Sequence, residues 1–349
     1  MRVPVDLADR SYEVVLERGA RHALAQLLKE RAPRAQVVAV VTSHPLRSQP
    51  WFEIDSGLVQ HVLEVPDGER AKTWEVVAKL CEELAALELS REDVVVGVGG
   101  GAITDLAGFA SAVYLRGIGV VQIPTTLVGQ VDAAIGGKTG VNLPAGKNLV
   151  GAFHQPLGVL CDFAMLDTLP ERERLGGLGE VAKCWLLEGR RAEDLGAASL
   201  ADLIVMSVKL KAAIVAGDEF EGGRRAWLNY GHTLGHAVEL LALQRSTDEL
   251  RHGEAVAIGL AFAVRLAHAL GRIEALEVDN HDRVLSALGL TAVVPDYMAD
   301  SDLLRAMMHD KKAHHNLTFV LPGPDGFAVV RDLEPALVRH VLETFRGGL

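Results

Sequence analysis

The chain has 349 residues, which is typical of about two domains; 49% of them are hydrophobic and 23% are charged. This is the composition of a globular protein with enough apolar material for a core. Lys and Arg (35) against Asp and Glu (46) give a net charge of −11. That charge argues against a general nucleic-acid binder, so an anionic ligand must be met by local positive charge.

Membrane and secreted proteins are also disfavoured. The longest uncharged stretch, 117–131, is too short and too polar to cross a bilayer. Asp6 precedes any apolar run, which is not the pattern of a signal peptide. Three widely spaced cysteines do not suggest a disulfide framework or a thiolate zinc site. We therefore expect a cytoplasmic protein that binds neither nucleic acid nor membrane.

The first half of the chain alternates short β-branched runs with amphipathic stretches. The runs predict buried strands at 37–41, 94–98 and 119–123. Helical spacing of apolar residues predicts helices over 70–88 and 105–115. Strands separated by helices indicate parallel pairing in an open α/β sheet.

The second half has few β-branched runs, and its pattern is mostly helical. The predicted helices are 171–188, 199–216, 225–243, 253–271 and 301–309. One strand is predicted, at 317–321. We expect the seam between the two halves near Pro170 and the Gly176-Gly177 pair.

A glycine turn follows the strand at 94–98, where Gly99-Gly100-Gly101 leads into a helix. Such a turn lets backbone N–H groups approach an anion at a helix N-terminus. Alternatively, it is a tight turn that only permits close packing. It is not the G-x-G-x-x-G fingerprint, because Ala102 stands where the third glycine belongs. Thr125 and Thr126 follow the next strand, where open α/β sheets bind ligands.

A glycine-rich segment from Arg116 to Asn148 also carries Asp132, Lys138 and Lys147. These cations in an otherwise apolar segment favour a concave site for an oxyanion or a polyhydroxylated ligand. The alternative is a surface loop.

Histidines and acids in the second half suggest a metal site. His232 and His236 are spaced i to i+4, and His252 opens another apolar helix. Glu180 and Lys183 share one face of the helix predicted upstream. Spacing alone nominates His232 and His236 as ligands, with Glu180 or His252 completing an open sphere of zinc type. The alternative is that these histidines are buried core residues whose hydrogen bonds are satisfied within the protein.

Further basic residues accompany this set, namely Lys211, Arg225, Lys311 and Lys312. Each alone would be expected on a solvated surface. Together, in an acidic protein, they predict an anionic ligand.

Several long motifs occur in order: GGGAITDLAGFASAVYLRG (99–117), IPTTLVGQVDAAIGGKTGVNLPAGKNLVGAF (123–153), LPERERLGGLGEVAKC (169–184), LNYGHTLGHAVE (228–239), RHGEAVAIG (251–259) and DKK (310–312). Over roughly residues 65–325 the chain thereby resembles the 3-dehydroquinate synthase family of sugar-phosphate cyclases. The resemblance implies a Rossmann-like NAD-binding domain over 1–165 and a mostly α-helical metal- and substrate-binding domain over 166–349.

The resemblance also implies the reaction. Members of this family convert 3-deoxy-D-arabino-heptulosonate 7-phosphate, a sugar acid phosphate of the shikimate pathway, into 3-dehydroquinate and phosphate. They use NAD catalytically together with Zn²⁺ or Co²⁺. The rival assignments are another sugar-phosphate cyclase, such as aminodehydroquinate synthase, and a metal-dependent alcohol dehydrogenase of the glycerol dehydrogenase type.

Site residues carry over by motif. The implied metal ligands are Glu180, His232 and His252, which moves His236 to the substrate phosphate. The implied NAD contacts are Glu69, Lys72, Gly100, Gly101, Asp105, Thr125, Thr126, Lys138, Lys147, Thr168 and Leu169. The implied substrate contacts are Asp132, Lys138, Asn148, Lys183, Lys211, Arg225, Asn229, His236 and Lys312 or Lys311. Arg116 would reach the substrate phosphate of a neighbouring subunit, which implies a homodimer. One departure concerns the cofactor: Ser43-His44 stands where the family places an Asp that contacts the ribose.

Overall fold

The computed structural model describes residues 1–144, 146–245, 250–309 and 317–347, and the chain divides into two compact units. The first unit comprises Met1–Pro170 and Ser207–Phe220. The second comprises Glu171–Met206 and Glu221–Leu349.

The first unit is built on nine strands. In chain order they are β1 (Arg2–Val5), β2 (Tyr12–Glu17), β3 (Val37–Ser43), β4 (Val59–Val65), β5 (Val94–Gly99), β6 (Gly119–Pro124), β7 (Lys138–Leu143), β8 (Gly146–Phe153) and β9 (Gly158–Asp162). Seven of them form one sheet in the order β1-β2-β9-β6-β5-β3-β4. All neighbours in it are parallel except the β1–β2 pair, and β7 with β8 forms a separate antiparallel hairpin. The predicted parallel α/β architecture is confirmed.

The order of this sheet places a ligand position at its centre. From β3 the chain first adds β4 on one side and then β5 on the other. The connections therefore diverge between β3 and β5, and ligands of open α/β sheets bind outside the carboxyl ends of strands at such a point. Ser43 ends β3 and Gly99 ends β5.

Helices cover both faces of the sheet, and the strand sequences show why. The helices are α1 (Leu24–Arg31), α2 (His44–Arg47), α3 (Trp74–Ala86) and α4 (Gly101–Val113). Within β3, Val38 and Val40 belong to one buried cluster while Ala39 and Val41 belong to the other. Since successive side chains point to opposite faces, a strand buried on both sides becomes a continuous apolar run.

The second unit is mainly helical, as predicted. Its helices are α5 (Glu171–Leu187), the first residues of α6 (Leu200–Gly217), α7 (His232–Leu243), α8 (His252–Ala269), α9 (Ala275–Ala287), α10 (Asp300–His309) and α11 (Pro335–Gly347). Strands β10 (Leu317–Gly323) and β11 (Gly326–Leu333) form an antiparallel hairpin. No helix among the described residues is long and apolar enough to cross a membrane.

The division into units differs from the continuous boundary expected between 165 and 166. The first unit ends at Pro170 but also takes in 207–220. Polar contacts explain this, because Glu219 accepts hydrogen bonds from Arg10 (2.8 Å) and Gln155 (3.0 Å). Gly176 and Gly177 do not mark a seam; they lie buried inside α5.

Elements without a strong pattern were not predicted, namely β1, β2, β4, the β7–β8 hairpin, β9, β11, α1, α2, α9 and α11. The helix expected over 225–243 also begins later. A 3₁₀ helix covers Arg224–Asn229, and α7 starts only after Gly231, whose φ of 79° breaks the helical path. Gly231 tolerates this left-handed conformation because it has no Cβ.

Candidate functional site

Three helices of the second unit cross at glycines. Gly253 of α8 abuts the backbone of Gly176 in α5, and a Cβ added to Gly179 would lie 2.6 Å from the Cα of Gly253. A Cβ added to Gly235 of α7 would lie 3.1 Å from the carbonyl oxygen of Ala255 in α8. Larger residues would separate these helices, so the glycines allow polar side chains from all three to converge.

The side chains that converge are Glu180, His232 and His252, each offering one ligand atom, and these atoms lie within 4.8 Å of one another. Glu180 Oε1 is 3.0 Å from His252 Nε2 and 3.4 Å from His232 Nε2. The Glu180 side chain is completely buried. Two histidines and one carboxylate form the donor set of an open zinc site.

The outer nitrogens of these histidines test whether the set fits a metal ion. His232 Nδ1 is 3.0 Å from the carbonyl oxygen of Tyr230, and His252 Nδ1 is 3.0 Å from Glu239 Oε2. Both neighbours are acceptors, so each Nδ1 donates a hydrogen bond outwards and Nε2 is the ring nitrogen that faces Glu180. A divalent ion would replace any proton on these two Nε2 atoms and be bound by them together with the carboxylate. The three residues therefore fit a divalent ion.

Electrostatics around the carboxylate agree with this view. Burial alone would raise the pKa of Glu180, but the ammonium of Lys183 and the two histidines bring it well below its usual value. Lys183 forms an ion pair with Glu180 Oε2 from one turn further along α5, and its side chain is 1% exposed. Burial and Lys183 lower the pKa of His232. Burial also acts to lower the pKa of His252, but Glu239 and Glu180 outweigh it and raise the pKa to about 10.

The structure leaves His236 outside the set of three. Its ring lies edge to face with that of His232, with 5.2 Å between centroids. The spacing argument identified a shared helix face, but His252 of α8, and not His236, lies with Glu180 and His232 in the group of three. Arg225 and Asn229 belong to the same unit: Arg225 is buried, and the Asn229 amide donates to Glu221 Oε1 at 2.7 Å.

In the first unit, the glycine turn lies where β5 gives way to α4. The carbonyl oxygen of Gly100 accepts hydrogen bonds from the N–H groups of Ile103 and Thr104, both at 3.0 Å. Gly101 is the first residue of α4. A Cβ added to Gly100 would lie 2.9 Å from Thr126 Cγ2, so a glycine here avoids a close contact with Thr126. The turn therefore permits close packing and also places the N-terminus of α4 next to it, so both interpretations of the glycines are compatible with the structure.

A polar network extends from this helix start. The Lys72 ammonium donates to Asp105 Oδ2 and to Asn148 Oδ1, both at 2.6 Å. The side chain of Asn142 accepts from the N–H of Asn148 at 2.9 Å and donates to Glu69 Oε1 at 2.6 Å. Burial raises the pKa of Asp105 to about 6, against the opposing effect of Lys72. Asn142, which joins the network, was missed because the sequence gives no signal for it.

Two buried hydroxyls lie on the strands that flank β5. Thr42 is fully buried near the end of β3, and Thr125 is 2% exposed just after β6. Among the described residues, neither Oγ1 has a hydrogen-bond partner. Buried polar groups are normally satisfied, so orphan hydroxyls at strand ends suit a polar ligand such as a dinucleotide. Thr42 was not predicted, whereas Thr125 was.

Other predicted positions of this unit have clear neighbours. Lys211 is buried and donates to the carbonyl oxygen of Asp132 at 2.6 Å and to its carboxylate. The Thr168 hydroxyl accepts from Trp51 Nε1 at 2.8 Å, and the N–H of Leu169 donates to Leu166. Lys138 and Lys147 are exposed on the β7–β8 hairpin, so their segment is a sheet element and not an irregular loop. Lys311 and Lys312 lie outside the described residues.

Arg116 lies in an exposed segment with an unusual backbone. Leu115 and Arg116 have φ values of 49° and 65°, followed by Gly117 at 121°. Consecutive left-handed residues other than glycine are uncommon and are often associated with functional segments.

Comparison with known proteins agrees with the motifs. The N-terminal domain of 3-dehydroquinate synthase matches residues 62–175, and its C-terminal domain matches residues 177–313. A "Putative aminodehydroquinate synthase" of Amycolatopsis mediterranei is 48% identical, covering 98% of this chain and 93% of the relative. The 3-dehydroquinate synthase of Nitrobacter hamburgensis is 42% identical, covering 97% and 94%.

A solved structure shows the same architecture over the full length. It is 2-deoxy-scyllo-inosose synthase complexed with carbaglucose-6-phosphate, NAD⁺ and Co²⁺, with a TM-score of 0.83, 25% identity and complete coverage of both chains. Both domain matches and the identity to named relatives lead to one conclusion. The chain is an enzyme of the 3-dehydroquinate synthase family.

Proposed function

We propose that the protein converts 3-deoxy-D-arabino-heptulosonate 7-phosphate into 3-dehydroquinate and phosphate, with NAD as a catalytic cofactor and a bound divalent metal. The observation that carries this proposal is the buried set of Glu180, His232 and His252 beside Lys183. Family membership supports the reaction class, and the inosose synthase, which holds NAD⁺ and Co²⁺, supports the cofactors.

We assign the residues that would hold the two cofactors from the family motifs, supported by the contacts described above. Glu180, His232 and His252 would bind Zn²⁺ or Co²⁺. The turn at Gly100 and Gly101 would hold NAD, together with the network of Glu69, Lys72 and Asp105 and with Thr125, Thr126, Lys147, Thr168 and Leu169. When bound, NAD accepts and returns a hydride, and the metal ion polarises substrate oxygens.

The chain's own charges are suited to the substrate, which carries a carboxylate and a phosphate. Lys183 and Arg225 are buried cations in the second unit, and burial strengthens their attraction for an anion. In the first unit, Asp132 holds the ammonium of buried Lys211 in one position. We assign the same role of binding and orienting the substrate to Lys138, Asn148, Asn229, His236 and Lys312.

We further propose a homodimer, in which Arg116 binds the phosphate in the neighbouring subunit. Exposure of this arginine and its left-handed backbone support a role outside its own subunit. The cytoplasm remains the proposed compartment, on the grounds of sequence composition. Sedimentation analysis tests the assembly, and a monomer at all concentrations would contradict it.

A second substrate has specific support. The Amycolatopsis relative, at 48% identity, is more similar than the Nitrobacter enzyme at 42%. The alternative is therefore the amino analogue of the heptulosonate phosphate, which would yield aminodehydroquinate.

One experiment separates these activities. The protein is incubated with NAD, Zn²⁺ or Co²⁺ and either substrate, then free phosphate is measured and the carbocycle is identified by mass spectrometry. We expect faster phosphate release from the heptulosonate, without net NADH. Preference for the amino analogue would establish the alternative. Steady accumulation of NADH with glycerol, together with no phosphate release from either sugar phosphate, would show that the protein is an alcohol dehydrogenase.

A further inference from the structure

The two histidines of the metal-binding set are oriented by different kinds of acceptor. His232 Nδ1 bonds to the carbonyl oxygen of Tyr230, a main-chain atom two residues away. His252 Nδ1 bonds to Oε2 of Glu239, a side chain of another helix. Both distances are 3.0 Å.

His252 depends more on its acceptor than His232 does. The side chain of His252 is 33% exposed, against 11% for His232. Packing therefore confines the ring of His232 more closely. His252 is also the first residue of α8, so a helical turn follows it but none precedes it, and the helix restricts its side chain less.

Glu239 is placed to supply this restraint. It lies on α7, seven residues after His232, and its side chain is only 8% exposed. A carboxylate is costly to bury without a partner that donates to it. The Nδ1–H of His252 is such a donor, so the contact satisfies the acid while it fixes the ring.

We propose that Glu239 is a positioning residue for metal binding. By accepting the proton-bearing Nδ1 of His252, it fixes the tautomer and rotates Nε2 towards Glu180, 3.0 Å away. Carboxylate partners of this type orient metal-binding histidines and raise their basicity. The inference rests on the metal site of the proposed function, but not on the identity of the sugar.

The test compares two variants of Glu239 in the full-length protein. Metal-free Glu239→Ala and Glu239→Gln are titrated with Zn²⁺ in competition with a chromophoric chelator. Loss of such a partner typically weakens metal binding by about 10–100-fold, which we expect for Glu239→Ala. Glu239→Gln should stay within a few-fold of the wild type, because its amide oxygen accepts the same hydrogen bond.

A spectroscopic measurement and a matched control complete the test. The visible absorption of bound Co²⁺ should change in Glu239→Ala and remain close to the wild type in Glu239→Gln. Glu277→Gln is the control, since Glu277 pairs with Arg191 on the surface of the same unit. We expect no change in its metal affinity.

The results of these measurements either support or overturn the role of Glu239. Wild-type zinc affinity and an unchanged Co²⁺ spectrum in Glu239→Ala would overturn the proposal, as would equal losses in Glu239→Ala and Glu239→Gln. If Glu239→Ala does not fold, Glu239→Asp replaces it, because its carboxylate is withdrawn by about 1.5 Å and should lose affinity similarly. Failure to release phosphate from either sugar, with this metal pattern intact, would reject only the proposed reaction.

Discussion

The two units place their charged side chains in different surroundings. In the second unit, Glu180 and Lys183 are almost completely excluded from solvent. In the first unit, Lys138 and Lys147 are exposed on a hairpin, whereas Lys72 and Lys211 are buried. Charges in a buried site must be fixed by neighbours before any ligand arrives, whereas exposed charges remain adaptable and screened. Substitutions of the buried charged residues in the second unit should therefore change stability and ligand binding more than substitutions of the exposed charged residues in the first.

The largest effect should come from Glu180→Gln. It breaks the ion pair between Glu180 and the buried Lys183 ammonium, and breaking such a pair costs about 3–5 kcal/mol of unfolding free energy. It also removes a proposed ligand, so zinc content should fall to background. Denaturant unfolding and elemental analysis measure the two effects.

A double variant separates charge pairing from metal binding. Glu180→Gln with Lys183→Met should recover stability but not zinc, because the buried cation of the broken pair is removed as well while the proposed ligand is still missing. Stoichiometric zinc in either variant would show that Glu180 is not a ligand.

The second-largest effect is the loss of folding stability in acid that His281 causes. The Nε2 atom of His281 forms a hydrogen bond with the hydroxyl of Tyr230 at 2.8 Å. Burial lowers the pKa of His281 from 6.5 to about 4. Between these values the unfolded chain binds a proton that the folded chain does not, so stability falls as the pH drops from 6.5 to 4. This histidine should account for about 3 kcal/mol of that loss.

His281→Gln should flatten the pH dependence of the free energy of unfolding between pH 7 and 4. The control is His340→Gln, which alters an exposed histidine of the same unit. Parallel curves for the wild type and His281→Gln would contradict the assignment.

In the first unit, Lys72→Met should cost about 1–3 kcal/mol, because the carboxyl group of Asp105 loses a charged donor. The NAD affinity, measured by isothermal titration, should also fall. Lys79→Met is the control, since Lys79 forms an exposed pair with Glu83, and it should change stability by less than about 0.5 kcal/mol. Equal effects of the two variants would refute the buried network.

The smallest effect is expected for Gly100→Ala. The φ of Gly100 is −70°, so its backbone suits alanine and the cost arises from the contact with Thr126. We expect about 1 kcal/mol of destabilisation, as for mild overpacking. Adding Thr126→Ser removes the opposing methyl group and should restore stability. If the double variant is no more stable than Gly100→Ala, the contact is not the cause.

Sequence predicted the parts whose signals are local. The run at 37–41 indicated a buried strand, and the structure shows that β3 contributes to a core cluster on each of its faces. Motif resemblance named Glu180, His232 and His252 together, although spacing favoured His236. Spacing describes one helix only, whereas the observed set takes one residue from each of three helices.

Features that depend on contacts distant in sequence were not predicted. The β7–β8 hairpin contains many exposed positions, so its strands show no apolar run. Asn142 and Thr42 acquire their significance only from neighbours that the fold supplies. Likewise, nothing local assigns 207–220 to the first unit, since its partners lie far away in the chain.

The close contacts of α5, α7 and α8 at glycine residues matter for any mutational scan of this enzyme. Gly179, Gly235 and Gly253 carry no reactive group, yet a methyl added at any of them pushes apart the helices that bear Glu180, His232 and His252. A survey confined to polar positions would overlook them. They would contribute to the proposed metal site by allowing the three helices to approach closely.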